Sequence, residues 1–485
     1  MAKRAFRPYE PDQPLPLPPD LRQWVPADHL VYLLSDIVDQ LDLTPILVVY
    51  EQGDGGGNPP YHPVLLTKLL LYAYCQGVVS SRQIARKTYE DVAFRVLTAD
   101  QHPDFRTISD FRERHLAALG DLFVQVVRLA GRLGLVNLEH VAQDGSKILA
   151  NASKHHAMSY GRMQQAEARL GQEIQALLAA AQQADAAEDA AHGAERTGDE
   201  VPADLSGEIR RRERRLATIR AAKAALEQEA QAEAAAIRAA DAAERQRRAA
   251  AGEPKKPGKV PTPKEDPAED AQRNFTDPDS RIMKNADKAF VQAYNGQAAV
   301  DAGGHQIIVG CLLSNQSADT PHLAPMVAQV QATTGQMPGE WSADAGFFSA
   351  DNVATIEQAG GTAYIPPDRQ AHAAQPLPAP VAQVLAAAGL GPAVADEPVT
   401  DNEVKAAMRA RLRTEVGRVA YGQRKQTAEP VFGQLKERRG LRRFLLRGLA
   451  KVQGEWRLWC LTHNLRKIAQ ALQTKPAVRQ RLATL

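Results

Sequence analysis

Two aspartates, Asp144 in VAQDGSKILA and Asp344 in EWSADAGF, stand where runs of strand-forming residues break or end. Carboxylates mounted there are hard oxygen donors on rigid supports. Metal-dependent phosphodiester cleavage asks for such donors: two divalent cations about 4 Å apart must be held so that one activates water and the other stabilises the leaving oxygen. If the two strands are neighbours, the carboxylates converge and repel, which makes sense mainly when cations fill the gap. Taken singly, each aspartate is also an ordinary turn residue, so the pair needs a context.

The elements that must position them follow from periodicity. LEHVAQDGSKILA alternates and is rich in Val, Ile and Leu, which predicts a strand over 138–149 interrupted by a turn at Asp144 and Gly145. YNGQAAVDAGGHQIIVGCLLSN predicts a β-hairpin around its Gly-Gly turn. A helix near 320–335, a strand in GEWSADAGF, a helix over 349–359 and a short strand in TAYIPP come next; 366–398, rich in Ala and Pro, reads as loop, and 402–473 as helical. The order specifies a mixed α/β sheet domain.

Upstream, apolar spacing predicts helices over 28–42 and 62–76, the second stopped at Gly77, and a short helix in SSRQIARKTYED. A single long helix over 107–134, opened by Thr107 or Ser109, completes an all-α domain over 1–134. Residues 62–90 have the form of a helix-turn-helix with Arg82, Arg86 and Lys87 on its polar side, a form shared with plain helical bundles. Between 160 and 250 the chain is mostly Ala, Glu, Gln and Arg, with sparse apolar stripes (Leu170, Ile174, Leu177; Leu216, Ile219, Leu226) interrupted by GDEVP at 198–202. Neither stripe is wide enough to be stable alone, so an antiparallel helical hairpin is predicted, followed by the extended linker GEPKKPGKVPTPKEDPAED. Residues 160–272 thus read as an insertion between a first part (135–159) and the remainder (273–473) of the sheet domain, with a tail over 474–485.

At 485 residues the chain exceeds one ordinary core. Its net charge of +2 hides an uneven distribution: from Lys405 to Leu485 there are about twenty Lys and Arg against about four Asp and Glu. Such an excess gains from counterion release on a phosphate backbone, so this part is expected to face nucleic acid. Three scattered cysteines, Cys75, Cys311 and Cys460, specify neither a disulfide framework nor a zinc site and suit a reducing cytoplasm. The first twenty residues hold no apolar signal region and no run is long enough to span a bilayer, which predicts a cytoplasmic protein. His155 and His156, without further His or Cys at ligand spacing, read as surface or DNA-contact residues. Asp277, Asp279 and Arg281 in DPDSR read as an Asx turn.

VAQDGSKILANASKHHAMSYGRM closely resembles the first-aspartate segment of the DDE transposases of bacterial insertion sequences, in the subgroup with a helical N-terminal transposase domain. YHPVLLTKLLLYAYCQG with SSRQIARKTYEDVAFRVLTADQHPDFRTISDFRERH looks like that N-terminal domain, and TDPDSRIMK followed by YNGQAAVD like its re-entry into the sheet. WSADAGFF is similar to the second-aspartate segment, and EPVFGQLKERRGLRRFLLRGLAKVQGEWRLWCLTHNLRKI resembles the C-terminal glutamate block. These segments stand in the family's order and cover most of the chain outside 160–270 and 366–400.

The resemblance implies an RNase H-like mixed sheet flanked by helices, acting on double-stranded DNA at transposon ends and target, as a homodimer assembled on DNA. It implies Mg²⁺ or Mn²⁺, two ions, for strand cleavage and for joining the freed 3′-hydroxyl to the target. Carried over by position, Asp144, Asp344 and Glu429 are the metal-binding catalytic carboxylates. Tyr421 and Lys436 match the tyrosine and lysine that accompany the glutamate. Tyr421 and Arg424 each stand one position further from Glu429 than is usual, whereas Lys425 falls at the expected distance, so the basic role stays open between Arg424 and Lys425. Two other readings are an inactive descendant used as a DNA-binding regulator and a coiled-coil scaffold built on the Ala-rich hairpin.

The glutamate block has its own physical logic. Helical residues seven apart lie about 10 Å apart and nearly in line, so Lys436 reaches a phosphate on the groove that Glu429 approaches, with Lys425 on the same face. Pro430 directly follows Glu429 and predicts that Glu429 sits at a helix start or kink. The basic run of Arg438, Arg439, Arg442, Arg443 and Arg447 predicts phosphate binding beside the glutamate. Glu455 is the rival third carboxylate, set back because EWRLWCLTHNL reads as a core helix.

Overall fold

A computed structural model describes residues 20–51, 60–192, 203–252, 254, 259–285, 287–368 and 403–484. The GDEVP break and the Ala/Pro-rich loop after 368 lie outside these residues.

The N-terminal third is helical: α1 (Leu30–Asp39), α2 (Thr44–Glu51), α3 (Pro63–Cys75), α4 (Ser81–Glu90), α5 (Val92–Leu97), α6 (Phe105–Arg114) and α7 (Leu116–Arg132). Helix α3 starts with Pro63 in its first turn and ends before Gly77, whose φ of +75° is the left-handed stop that the sequence predicts. The single helix expected over 107–134 is two. Its opening cap is Asp104, whose side chain accepts from Arg106 N and Thr107 N, and helical geometry is interrupted at His115 (φ −105°, ψ 14°), whose ring meets the Tyr50 hydroxyl at 3.0 Å. A tertiary hydrogen bond overrides local propensity there.

The sheet has the strand order of an RNase H-like fold. Strand β1 (His140–Leu149) lies between β5 (Phe290–Asp301), antiparallel, and β7 (Glu340–Ser342), parallel; β8 (Thr362–Tyr364) adds in parallel beyond β7. The other edge of β5 is shared by β4 (Arg281–Lys284) and β6 (Ile308–Ser314), which closes the predicted hairpin. Helices α10 (Leu323–Thr334) and α11 (Ala350–Gln358) make the crossovers that parallel strands require. The interruption expected at Asp144 and Gly145 is absent: β1 runs straight through, with Asp144 opposite Ala298 and Gly145 opposite Gln297. Gly145 serves close packing, since a Cβ there would stand 2.3 Å from the Gln297 amide nitrogen.

The insertion forms two long helices, α8 (Tyr160–His192) and α9 (Ala203–Ala250), which pack on each other through a cluster that includes Met163, Leu170, Ile174, Ile219 and Leu226. It leaves and rejoins the sheet domain through β2 (Ala157–Ser159) and β3 (Gln272–Asn274), an antiparallel pair. This apolar cluster is separate from the main core.

After the undescribed segment come α12 (Glu403–Arg413), α13 (Glu415–Gly433), a π-helical turn over Gln434–Arg438, α14 (Leu449–Thr474) and α15 (Pro476–Ala483), the last occupying what the sequence suggests is a tail. Helix α14 is buried along most of its length, with Trp456 and Trp459 fully enclosed. It packs on β6 and on α7, α3 and α1, so one core joins the N-terminal helices to the sheet. All three cysteines are buried and free, with Cys75 donating to the Thr462 carbonyl of α14.

Candidate active site

Strand alternation and register assemble the site. Ala142 pairs with Ser342, so Asp144 and Asp344 lie two residues beyond the same rung of parallel neighbours. Asp344 has left the strand to cap a short turn, its Oδ1 accepting from Gly346 N at 2.8 Å. Asp144 Oδ1 accepts from Gly145 N at 2.9 Å. On the same face of β1, Ser146 Oγ accepts from Lys436 Nζ at 2.6 Å.

Helix α13 lies over this face and contributes Tyr421, Arg424 and Glu429. It opens on Thr414, whose hydroxyl accepts from Gly417 N, and carries Glu415 in its first turn, a favourable start for a helix dipole. Glu429 sits inside this helix, so of the start or kink expected from Pro430 the start is ruled out. A proline in a helix interior leaves the carbonyl four residues earlier without a donor. Here that carbonyl belongs to Gln426, and the Gln306 side chain supplies the missing donor at 2.9 Å.

Arg424 occupies the centre. Its guanidinium reaches Glu429 Oε1 at 3.0 Å and Asp144 Oδ1 at 3.7 Å, and lies against the Tyr421 ring, 5.8 Å from its centroid. Burial pushes the Asp144 carboxyl up to about 7; Arg424 works against that shift, while the neighbouring Asp344 and Glu429 charges reinforce it. Burial also raises the Tyr421 phenol, opposed by Arg424. Although burial disfavours the charge on Arg424, Asp144 and its anionic neighbours keep the guanidinium pKa above its ordinary value. Of the two basic residues left open in the sequence, Arg424 faces the carboxylates and Lys425 is exposed.

Among the described residues, no three His, Cys, Asp or Glu side chains are close enough to hold an ion as they stand. In type the donors fit a divalent cation: Asp144 and Glu429 are hard oxygen donors already bridged by a positive charge, the Arg424 guanidinium, and Asp344 is a further carboxylate whose charge acts on Asp144.

The remaining predicted residues separate. Lys436 joins the site through Ser146 and the Lys147 carbonyl, and its ammonium is depressed chiefly by burial. Arg442 and Arg443 are exposed, the first paired with Glu437. Arg439 corrects the reading of the basic run as a phosphate-binding face: it is buried against Trp459 and donates to the Tyr74 carbonyl at 2.8 Å and to Thr462 Oγ1. Burial lowers it to about 10. On α4, Arg86 pairs with Glu90, Lys87 with Asp91, and Arg82 lies over Phe105. Glu455 is no rival ligand, since its carboxylate accepts from Leu445 N and Leu446 N and fastens the loop before α14. Asp277 and Asp279 likewise hold the start of α14 through Gly448 N and Leu449 N. His155 and His156 are exposed.

One site-bordering residue escaped the sequence reading. On the opposite face of β1, Asp319 Oδ1 accepts from Lys147 Nζ (3.1 Å), Asn295 Nδ2 (2.7 Å) and Gln297 Nε2 (2.8 Å). The adjacent Thr320 hydroxyl donates to the Gly346 carbonyl at 2.7 Å, tying this polar layer to the Asp344 turn. Its readable signal was Asn295 and Gln297 at period two within an apolar strand.

Residues 19–114 match the model of a transposase domain (DUF772), and residues 396–469 match that of a transposase DDE domain. The two matches support a DDE transposase of insertion sequences. No curated protein and no solved structure matches it. The second match holds Tyr421, Arg424, Glu429 and Lys436 of the transposase, and the first holds α3 and α4; Asp144 and Asp344 lie outside both.

Proposed function

We propose that this transposase binds the terminal inverted repeats of an insertion sequence, cuts DNA there and transfers the freed 3′ end to target DNA, with Asp144, Asp344 and Glu429 as the ligands of divalent metal. The observation that carries this reading is the ion-pair bridge from Asp144 through Arg424 to Glu429, which brings the glutamate of the matched DDE segment to the aspartate strand of the RNase H-like sheet.

Mg²⁺ or Mn²⁺ bound by these carboxylates would activate water and stabilise the leaving oxygen of a phosphodiester. The chain's own residues set the conditions. Strands β1 and β7 fix the two aspartates at one level, and α13 delivers Glu429 from above. Arg424 offsets the charge of the carboxylates it bridges, and its guanidinium is of the kind that pairs with a phosphate. Lys436, held at Ser146, is placed to grip a backbone phosphate next to Asp144. Tyr421, Lys425, Arg442 and Arg443, together with Arg82, Arg86 and Lys87 of α4, supply the remaining DNA contacts in this reading. A homodimer assembled on paired ends in the cytoplasm, at the nucleoid, is the form expected to act. No helix among the described residues is long and apolar enough to cross a membrane.

The test is Mg²⁺-dependent cleavage of a duplex carrying the inverted repeat that flanks the gene. Asp144→Asn, Asp344→Asn and Glu429→Gln are each expected to abolish cleavage while leaving end binding within a few-fold of the parent. Full cleavage by all three variants overturns the assignment.

A further inference from the structure

Lys436 and Arg438 belong to the same π-helical turn but serve opposite sides of it. Lys436 reaches Ser146 beneath the carboxylates, whereas Arg438 lines a half-open cavity of about 710 Å³ between that turn, the end of α3 and the length of α14. Arg466 and Lys467 complete the reachable cationic lining, with Arg439 buried behind them and its donors turned to the core, and Gln434 and Gln470 add neutral amides; among the described residues no carboxylate lines it. Arg466 donates to the Cys75 carbonyl at 2.6 Å and Lys467 to Gln306 Oε1 at 2.9 Å, so both are held by neutral oxygens. Among the described residues, Arg438 has neither hydrogen-bond nor ion-pair partner. Burial depresses the Lys467 ammonium, and the like charges of Arg438 and Arg466 add to the effect. Four cations gathered without a counter-charge repel one another, a cost that an anion in the cavity removes.

We propose that this cavity is a second, metal-independent site that takes the phosphates of a duplex DNA backbone, seating DNA against the junction of the N-terminal helices with α14. Phosphate is the class that the lining selects: cations and amides with no base-reading geometry are the groups that position a sugar-phosphate backbone. That the phosphates belong to DNA and not to a small molecule rests on the transposase reading above.

The experiment uses the full chain, without divalent metal, and a labelled duplex of arbitrary sequence. Affinity is followed from about 50 to 200 mM salt, where each lost phosphate contact lowers the slope of log K against log[salt] by about 0.9. Arg438→Ala combined with Gln470→Glu alters two exposed positions, and Lys467→Gln is a separate variant. Both are expected to reduce the slope by about one to two and to weaken binding roughly tenfold at the lowest salt. If Lys467→Gln fails to fold, the surface pair still decides. Pyrophosphate and inorganic phosphate are the competing probes. An unchanged slope overturns the proposal, as does loss of pyrophosphate binding with the duplex slope intact, which would assign the cavity to a small phosphate. This readout needs neither metal nor cleavage, so failure of the cleavage assignment and failure of this site remain distinguishable.

Discussion

Neighbouring arginines of one basic run have opposite environments, and the difference is set by residues far away in sequence. Arg439 faces the Tyr74 carbonyl and Thr462 in the core, while Arg438 is exposed. Truncating a buried cation that donates to several core acceptors leaves them unsatisfied, so Arg439→Ala is expected to cost on the order of 3 kcal/mol of stability in a urea titration while leaving the salt slope of DNA binding unchanged. A normal stability with a reduced slope would restore Arg439 to the DNA-binding face. His463 extends the same logic to pH. It donates from Nε2 to the Gln306 carbonyl at 3.0 Å, and burial holds it neutral, down to about 3. The unfolded chain takes up this proton below about 6.5 and the folded chain does not, so the contribution is complete above about 6.5 and is lost as pH falls toward 3. His463→Gln keeps an amide donor without the titration. The variant's unfolding midpoint should therefore fall less steeply than the parent's between pH 7 and pH 5, approximately; parallel curves would exclude the assignment.

Helix α13 shows how an element can carry a proline next to its proposed catalytic residue and stay continuous. The orphan carbonyl of Gln426 is claimed by Gln306, whose backbone sits at φ +54° in the hairpin turn and whose Oε1 also accepts from Gln434. Gln306→Ala is expected to destabilise by about 1–3 kcal/mol with Pro430 present, since it leaves this carbonyl unsatisfied, and by less in a Pro430→Ala background, where the helix regains its own donor. Equal costs in the two backgrounds of a double-mutant cycle would remove the clamp. This also marks the limit of what the sequence discloses. The strands that lead to Asp144 and Asp344, the β5–β6 hairpin and the core character of EWRLWCLTHNL in α14 are legible because period and turn chemistry are local. The continuity of β1 through Gly145, the break at His115 and the healed kink at Pro430 each depend on a partner more than sixty residues away: Gln297, Tyr50 and Gln306. The central place of Arg424 over Lys425 depends in the same way on a continuous α13, which the proline argues against locally.

At the scale of the whole molecule, two apolar clusters divide the labour. One runs from Val31 on α1 to Val478 on α15 and includes the sheet; the other lies between α8 and α9. The hairpin's ties to the rest are mainly exposed or half-exposed charge pairs, such as Arg281 with Glu229, which contribute little individually. Its two ends are adjacent, since Ser159 pairs with Gln272 across β2 and β3. A chain shortened by joining Ser159 to Gln272 through a two-residue Asn-Gly turn therefore asks the main core for no rearrangement, and the antiparallel pair is the setting in which such a turn is favourable. The shortened transposase is expected to lose helical circular dichroism in proportion to the deleted residues, to keep a single cooperative unfolding transition near that of the parent, and to retain Mg²⁺-dependent cleavage. Because Asp144, Asp344 and Glu429 all belong to the retained core, loss of cleavage with the transition unchanged would mean that the hairpin takes part in assembling DNA or a second subunit. Loss of the transition itself would mean that the two clusters fold as one.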